Sequence, residues 1–302
     1  MRTTRRRALF YISLIGTLLL VATAACAQSE WPSTFRYTFA LSTDELARYQ
    51  ASASLSGPVG EDLGLKIEGW WIEGQGDDRV FVGDAYLDYT TDPLYLAAGR
   101  KYVMFGPAGV LVSPGFFGGE VQLRSERVTL QVISGTLQFS PGVGTTRFSY
   151  AGSRSPSDES LTAGRLALTL TEPGAQTPVT VGVNAIDILD DRGTSVDLSI
   201  DASQRVTLYG ELAEYGDQNA HVYGIRLSDM NTRSDGRGTI LVCYQRSIDI
   251  GFVPAAVGAS VHFEDQDGWA GGVYHQLNPK RAVGIFTDGD EAILTLFGTV
   301  PL

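Results

Sequence analysis

The stretch Leu63-Gly-Leu-Lys-Ile-Glu-Gly-Trp-Trp71 places Leu63, Leu65 and Ile67 at alternate positions, with Lys66 and Glu68 between them. This alternation is the pattern of a β-strand that has one apolar and one polar face. Charged side chains in the middle of a strand would be costly in a dry protein core. The stretch therefore predicts a strand that lies between an apolar environment and water.

The same alternation recurs along the rest of the chain. The first five predicted strands are 33–41, 49–57, 63–73, 79–89 and 93–103, and further runs follow up to the C-terminus. Most of about sixteen runs are roughly nine to twelve residues long, whereas a typical soluble strand has about five to six and a tilted membrane strand about nine to eleven. The lengths favour a membrane barrel over a secreted β-sandwich or solenoid. We predict an all-β, single-domain, antiparallel transmembrane barrel of about 14 to 18 strands, with 16 as the best count.

Each face of these strands is assigned from its side chains. An outward face toward lipid is predicted for Leu65, Ile67, Leu87, Leu208, Val242 and Val261. A water-filled lumen is predicted for the polar side of the strands, which carries Lys66, Glu68, Asp84, Asp88, Arg205, Glu211, Gln245 and Glu264. A barrel interior can hold such charges because it is solvated.

The N-terminal residues predict export. Arginines at positions 2, 5, 6 and 7 precede an apolar run from Ala8 to Ala25, and Ala25-Cys26-Ala27 offers small residues for cleavage. This order is typical of a secretory signal peptide over 1–27, which leaves 28–302 as the barrel. An uncleaved anchor and a lipidated Cys26 are the alternatives. Together with the strands, the signal predicts a Gram-negative outer-membrane protein, whose partners are membrane lipid, lipopolysaccharide and the barrel-assembly machinery.

Composition and motifs exclude several function classes. The chain carries 34 acidic and 23 basic residues, a net charge of −11, which does not suit a nucleic-acid binder. There is no G-x-S-x-G, P-loop, H-E-x-x-H or EF-hand pattern, and the three histidines have no ligand-like spacing. Only Cys243 remains after signal removal, so no cysteine-based metal site can form. The sequence predicts no enzyme, no cofactor and no metal site.

One segment departs from the strand pattern. Residues 104–120 are rich in Gly, Pro and aromatic residues, and the first acidic residue among them is Glu120. A long apolar loop of this kind packs against something. With five strands before it, the chain resembles outer-membrane porins, in which the loop after the fifth strand folds inward and narrows the pore. The run Ala98-Gly-Arg-Lys-Tyr-Val-Met-Phe-Gly-Pro107 is also similar to the "GRxxxxFG" turn of substrate-selective and alginate-export-like porins.

The resemblance and the charges around 104–120 give the candidate site. The predicted constriction and selectivity residues are Arg100, Lys101, Arg124, Arg127, Arg147, Phe105, Phe116 and Phe117. A ring of basic side chains selects anions. The alternative is that these side chains form ion pairs with Glu120 and Glu126 and brace the loop against the wall.

The function expected from the sequence is therefore a porin-like channel for passive diffusion of small hydrophilic solutes, anions among them. The alternative is a non-conducting surface barrel that binds polysaccharide or a partner through its loops. An oligomer is compatible with either function.

Overall fold

The computed structural model describes residues 33–42, 47–73, 79–113, 115–138, 159–188, 191–229, 237–249, 252, 267–278, 280–288 and 291–301. They form a closed barrel of sixteen antiparallel strands. The predicted fold class is confirmed, and the strand count is the best one expected from the sequence. The signal peptide predicted over 1–27 lies outside the described residues and stays a prediction.

The strands are 8 to 13 residues long and lie around the ring in sequence order. Their bounds are β1 Ser33–Ser42, β2 Ala47–Pro58, β3 Leu63–Glu73, β4 Arg79–Thr91, β5 Leu94–Tyr102, β6 Gly115–Arg124, β7 Val128–Gln138, β8 Ser160–Thr169, β9 Val179–Ile188, β10 Asp191–Ser203, β11 Val206–Tyr215, β12 Gln218–Ser228, β13 Gly238–Ile248, β14 Gly268–Asn278, β15 Arg281–Asp288 and β16 Glu291–Pro301. The first five agree with the predicted ranges to within two residues at each end.

Every strand pairs with its neighbours in sequence, and β1 closes the ring by pairing with β16 from Thr34 opposite Pro301 to Ser42 opposite Ile293. β7 pairs directly with β8 in antiparallel orientation. Strand direction therefore alternates without interruption, so the connections that follow odd-numbered strands lie at one end of the barrel and those that follow even-numbered strands lie at the other. We call the end that carries the β5–β6 connection the loop end, and the opposite end, where β1 begins and β16 finishes, the turn end.

Side-chain exposure alternates along the strands and separates the two faces of the wall. Large apolar side chains cover the outside, and Leu212 is 66% exposed, Ile285 57% and Val183 52%. Ile67, Leu87 and Leu208 lie on this outer face, as predicted, and Leu65 is paired with Leu87 on the same side. Val261 and Glu264 lie outside the described residues. An apolar exterior on a closed barrel is the surface that a bilayer requires.

One strand has the opposite orientation to the one predicted. In β13 the buried side chains are Tyr244, Arg246 and Ile248, so even-numbered residues point inward. Val242 therefore faces the interior, where it packs on the buried apolar cluster. Gln245 faces outward beside Trp269, its partner on β14. The sequence prediction for these two residues was wrong because the inward face of β13 carries apolar side chains such as Val242 and Tyr244 together with the buried Arg246.

The interior changes character from one end to the other. Toward the loop end it holds a buried apolar cluster, whose wall members include Phe116, Ile133, Leu137, Leu161, Ile186, Ile188, Tyr215, Val222, Tyr244 and Phe286. Between this cluster and the turn end, charged and amide side chains on strands β3 to β11 point into the barrel. In the part of the chain that is described, no helix is long and apolar enough to cross a membrane.

Candidate functional site

The connection between β5 and β6 is the longest described segment that leaves the barrel wall. β5 ends at Tyr102 and β6 begins at Gly115, so the segment is shorter than the predicted 104–120. Residues 115–120, which the sequence placed at the end of this segment, belong to β6 instead, because they pair with both β5 and β7. The N–H of Phe105 donates to the carbonyl of Val112 at 2.9 Å, which folds residues 103–113 back on themselves. Gly106 and Gly109, with φ of 73° and 63°, allow the sharp bends.

Residues 103–113, called the inner segment below, are buried inside the barrel. Most of its apolar side chains are nearly inaccessible, and Phe105 and Val112 are 0% exposed, whereas Met104 is 40% exposed. They belong to the same buried cluster as the inward side chains of β6 to β15. At Gly193 on β10, a Cβ atom would come within 2.8 Å of the Leu111 side chain. The inner segment therefore crosses from β5 and β6 to the wall around β10.

A carboxylate on that wall holds the tip of the inner segment. The backbone N–H groups of Val110 and Leu111 donate to Oε2 and Oε1 of Glu211, at 3.0 and 3.2 Å. Ser195 Oγ donates to Glu211 Oε1 at 2.9 Å. Glu211 is 1% exposed, and a buried carboxylate needs such donors. The predicted inward position of Glu211 is correct, and the structure adds its role as an anchor.

An ion pair lies next to this anchor. Arg165 on β8 and Asp197 on β10 form a two-pronged pair, with Nη2 to Oδ1 at 2.9 Å and Nη1 in contact with Oδ2. Asn184 on β9 donates to Asp197 Oδ2 at 2.8 Å and to Ser195 Oγ at 2.9 Å. A Cβ atom on Gly106 would lie 3.0 Å from Asp197 Oδ2, so the bend of the inner segment rests directly on the pair.

A second polar cluster supports the base of the inner segment on the β4–β7 wall. Lys101 points inward from β5, contacts Glu120 on β6 and donates to Tyr95 Oη at 2.7 Å. Its ammonium also lies 5.2 Å from the ring centre of Tyr86 and 4.6 Å from that of Tyr95. Gln131 donates to the other oxygen of Glu120 at 2.6 Å. For Lys101 the structure shows the ion pair with Glu120 that the bracing alternative expected.

The other predicted basic residues do not gather around the inner segment. Arg100 is paired with Phe117 on the outward face, where Phe117 is 59% exposed and Arg100 donates to Gln138 Oε1 at 3.3 Å. Arg124 ends β6 at the turn end, roughly 30 Å along the strand from the loop end. Arg127 lies in the next turn and pairs with Glu172. Arg147 lies outside the described residues.

The predicted basic ring is therefore not assembled among the described residues. Closeness in sequence misled the prediction, because β6 carries its two ends to opposite mouths of the barrel. Of the predicted aromatics, Phe105 and Phe116 are inside and buried, whereas Phe117 is outside.

The sequence prediction missed Arg165, Asn184 and Asp197. Each occupies the middle of a strand between outward-facing residues, as in Val196-Asp197-Leu198. That pattern could have identified them as inward charges. Their clustering could not be read, because it depends on the register of β8, β9 and β10.

Comparison with known proteins supports the fold. No family model and no curated protein sequence matches the chain. Solved structures do match. The low-pH structure of OprB from Pseudomonas putida gives a TM-score of 0.54 at 11% identity, covering 89% of this chain and 92% of OprB. OmpF of Salmonella typhi in complex with daunomycin gives 0.53 at 10% identity, covering 90% and 97%. The chain has the porin fold.

OccK2 of Pseudomonas aeruginosa in complex with glucuronate is a further porin match, with a TM-score of 0.50 at 12% identity, covering 90% of this chain and 98% of OccK2. At these identities the likeness concerns the barrel and its connectivity. The placement of the inner segment and its anchors rests on the contacts of this chain alone.

Proposed function

We propose that the protein is a porin-like channel of a bacterial outer membrane that passes small hydrophilic solutes by passive diffusion. The observation that carries the proposal is the closed sixteen-strand barrel with an apolar exterior and inward charges. A barrel of this size encloses an aqueous passage when its interior is not filled. The similarity to OprB, OmpF and OccK2 supports the outer-membrane location, with lipid, lipopolysaccharide and the assembly machinery as partners.

The inner segment is the proposed constriction, formed with Phe105, Phe116 and Lys101. It carries no charged side chain between Val103 and Ser113, and Lys101 behind it is paired with Glu120. We therefore propose that this constriction selects mainly by size. The anion preference expected from a basic ring loses its support at the inner segment, because Arg100 faces outward and Arg124 and Arg127 lie at the turn end.

The bonds that hold the inner segment are suited to this role. Its tip is anchored by a buried carboxylate on β11 and its base by β5 and β6, so its position across the interior is fixed at both ends. A fixed narrowing gives a defined size limit, whereas a loose loop would give a variable one.

One observation favours the second candidate, a barrel that does not conduct and acts through its surface loops. The apolar cluster around the inner segment fills part of the interior at the loop end with buried side chains. If this packing continued across the whole interior, no aqueous path would remain.

Planar-bilayer recording distinguishes the two functions. We expect stepwise openings from the refolded protein, and a larger unit conductance when residues 106–111 are replaced by two glycines, which removes the tip and leaves β5 and β6 intact. Replacing the exposed turn 59–62 between β2 and β3 by two glycines is the control, because this turn touches neither the inner segment nor the turns after β8 and β10, and it should leave the unit conductance unchanged. Repeated absence of openings from both the intact and the shortened barrel, in samples that are folded by heat-modifiable mobility, would contradict the channel.

A further inference from the structure

The turn end of the barrel contains a polar cavity of about 790 Å³. The turn 174–178 and residues 202–204 at the end of β10 form its rim, and the inward side chains of Asp201, Thr207 and Arg226 form its floor. It lies at the mouth opposite the inner segment, since Thr207 and Arg226 stand near the turn-end limits of β11 and β12. A volume of this order suits a small-molecule site.

The floor is a row of three connected polar side chains on adjacent strands. Thr207 is paired with Arg226 on one side and with Asp201 on the other. The Thr207 hydroxyl donates to Asp201 Oδ1 at 2.7 Å and accepts a long contact of 3.4 Å from Arg226 Nη2. The strand register thus sets a cation, a hydroxyl and a carboxylate side by side.

Arg226 keeps most of its donors for a ligand. Among the described residues no carboxylate lies within salt-bridge distance of it, and its contact with Thr207 uses one of its five N–H groups. This sets Arg226 apart from Arg165, Arg127 and Arg192, each of which has an acidic partner. The remaining N–H groups of the Arg226 guanidinium can bind the carboxylate group of a ligand at this mouth of the barrel.

The rest of the rim offers neutral hydrogen-bonding groups. Gln176, Thr177 and Gln204 line the cavity, and within the described ranges their side chains make no hydrogen bond. Asp201 adds carboxylate oxygens that accept hydrogen bonds from hydroxyl groups. Amide, hydroxyl and carboxylate groups around one cation fit a solute that has several hydroxyls and a single acid group. A dianion would be repelled by Asp201, and a neutral sugar would leave Arg226 without an acceptor.

We propose that this cavity is a binding site for a small polyhydroxylated monocarboxylate, a solute of the sugar-acid class. Arg226 receives the carboxylate, and Asp201 with the rim amides receives the hydroxyls. The proposal deepens the channel function and rests on it for its physiological meaning, because the site would load solute at one mouth of the passage. Binding itself can be measured without conduction.

The test uses the folded barrel in detergent micelles and three probes, with affinities measured by calorimetry. D-gluconate carries both features, sorbitol has the hydroxyls without the carboxylate, and acetate has the carboxylate without the hydroxyls. We expect gluconate to bind about tenfold more tightly than either, which corresponds to about 1.4 kcal/mol. Arg226→Gln should reduce gluconate binding to the level of sorbitol.

Two further variants make the result decisive. Arg192→Gln is the matched control, since Arg192 is exposed and pairs with Asp187 away from the cavity, and it should leave the preference unchanged. Gln176→Glu adds a negative charge in an exposed turn and should weaken gluconate but not sorbitol, which keeps the test valid if Arg226→Gln fails to fold. Equal affinity for the three probes, or a gluconate preference that survives both Arg226→Gln and Gln176→Glu, would overturn the site.

Single-channel recording of the same samples separates this inference from the channel proposal. A barrel that conducts but shows no gluconate preference rejects the site and keeps the channel. A barrel that prefers gluconate but never opens keeps the site and rejects the channel.

Discussion

The carboxylate of Glu211 accepts a hydrogen bond from the backbone N–H of Val110, a residue 101 positions earlier in the chain. Four strands, β7 to β10, lie between the strand that follows Val110 and the strand that carries Glu211. The bond therefore spans the interior of the barrel rather than the wall. Together with the bond from Leu111, it holds the tip of the inner segment against the β11 wall.

Replacement of Glu211 by Gln should loosen the tip of the inner segment. An amide offers one acceptor oxygen, so one of the two backbone N–H groups loses its partner, at a cost of about 1 to 3 kcal/mol. We expect amide hydrogen exchange at Val110 and Leu111 to accelerate by about tenfold or more. Glu214→Gln on the same strand is the control, since Glu214 faces outward and accepts from Thr194. Equal protection in the two variants would show that apolar packing alone holds the tip.

A methyl group at position 182 should disturb the Arg165–Asp197 pair. A Cβ atom on Gly182 would lie 2.4 Å from Asp197 Oδ2 and 2.6 Å from Arg165 Nη1. Overpacking of this kind costs about 1 to 3 kcal/mol, so Gly182→Ala should lower the denaturant midpoint of unfolding. Gly164→Ala is the matched control, because its only close neighbour would be Gln131 O at 3.9 Å. A midpoint for Gly182→Ala no lower than that of Gly164→Ala would mean that the pair can shift without loss.

Neighbouring residues on β5 should respond differently to loss of charge. Lys101→Met would leave Glu120, which is 3% exposed, without its cation, and breaking a buried pair costs about 3 to 5 kcal/mol. Arg100→Gln changes an outward residue and should alter neither stability nor ion selectivity by much. Unfolding midpoints and reversal potentials in a salt gradient test both statements. A strong selectivity shift in Arg100→Gln would restore this residue to the pore.

The two faces of the wall can be compared with a single new charge. Ile67→Arg places a cation on the outer surface near the middle of β3 and should cost about 2 to 4 kcal/mol. Ser54→Arg places it on the inside next to Glu68, its partner position, and should cost much less. Folding yield into vesicles and the denaturant midpoint measure the difference. Similar damage from both substitutions would contradict a solvated interior beside β2 and β3.

The strands and the number of strands could be predicted from the sequence because alternation and length are local properties. The bounds of β3 were predicted in full, β1 and β4 differ by one or two residues at one end, and β2 and β5 differ by one or two residues at each end. The outward positions of Ile67, Leu87 and Leu208 follow from the same pattern.

The errors have a common physical origin. Alternation shows that a strand has two faces but does not show which one is inside when the interior is also apolar, as at Val242. The register between strands decides which side chains meet. The cluster of Arg165, Asn184 and Asp197 therefore could not be predicted from the residue pattern along one strand. The grouping of Arg100 with Arg124 failed for the same reason, since positions close in sequence can lie on different faces or at opposite ends of a strand.

The inner segment also acts as a chord across a ring. It is fixed by β5 and β6 at one side and by Glu211 on β11 at the other, so it ties the wall together between these points. A ring braced by a chord resists being flattened along that direction. Lateral pressure from the bilayer should therefore change the cross-section of this barrel least at the level where solutes would meet its narrowest point.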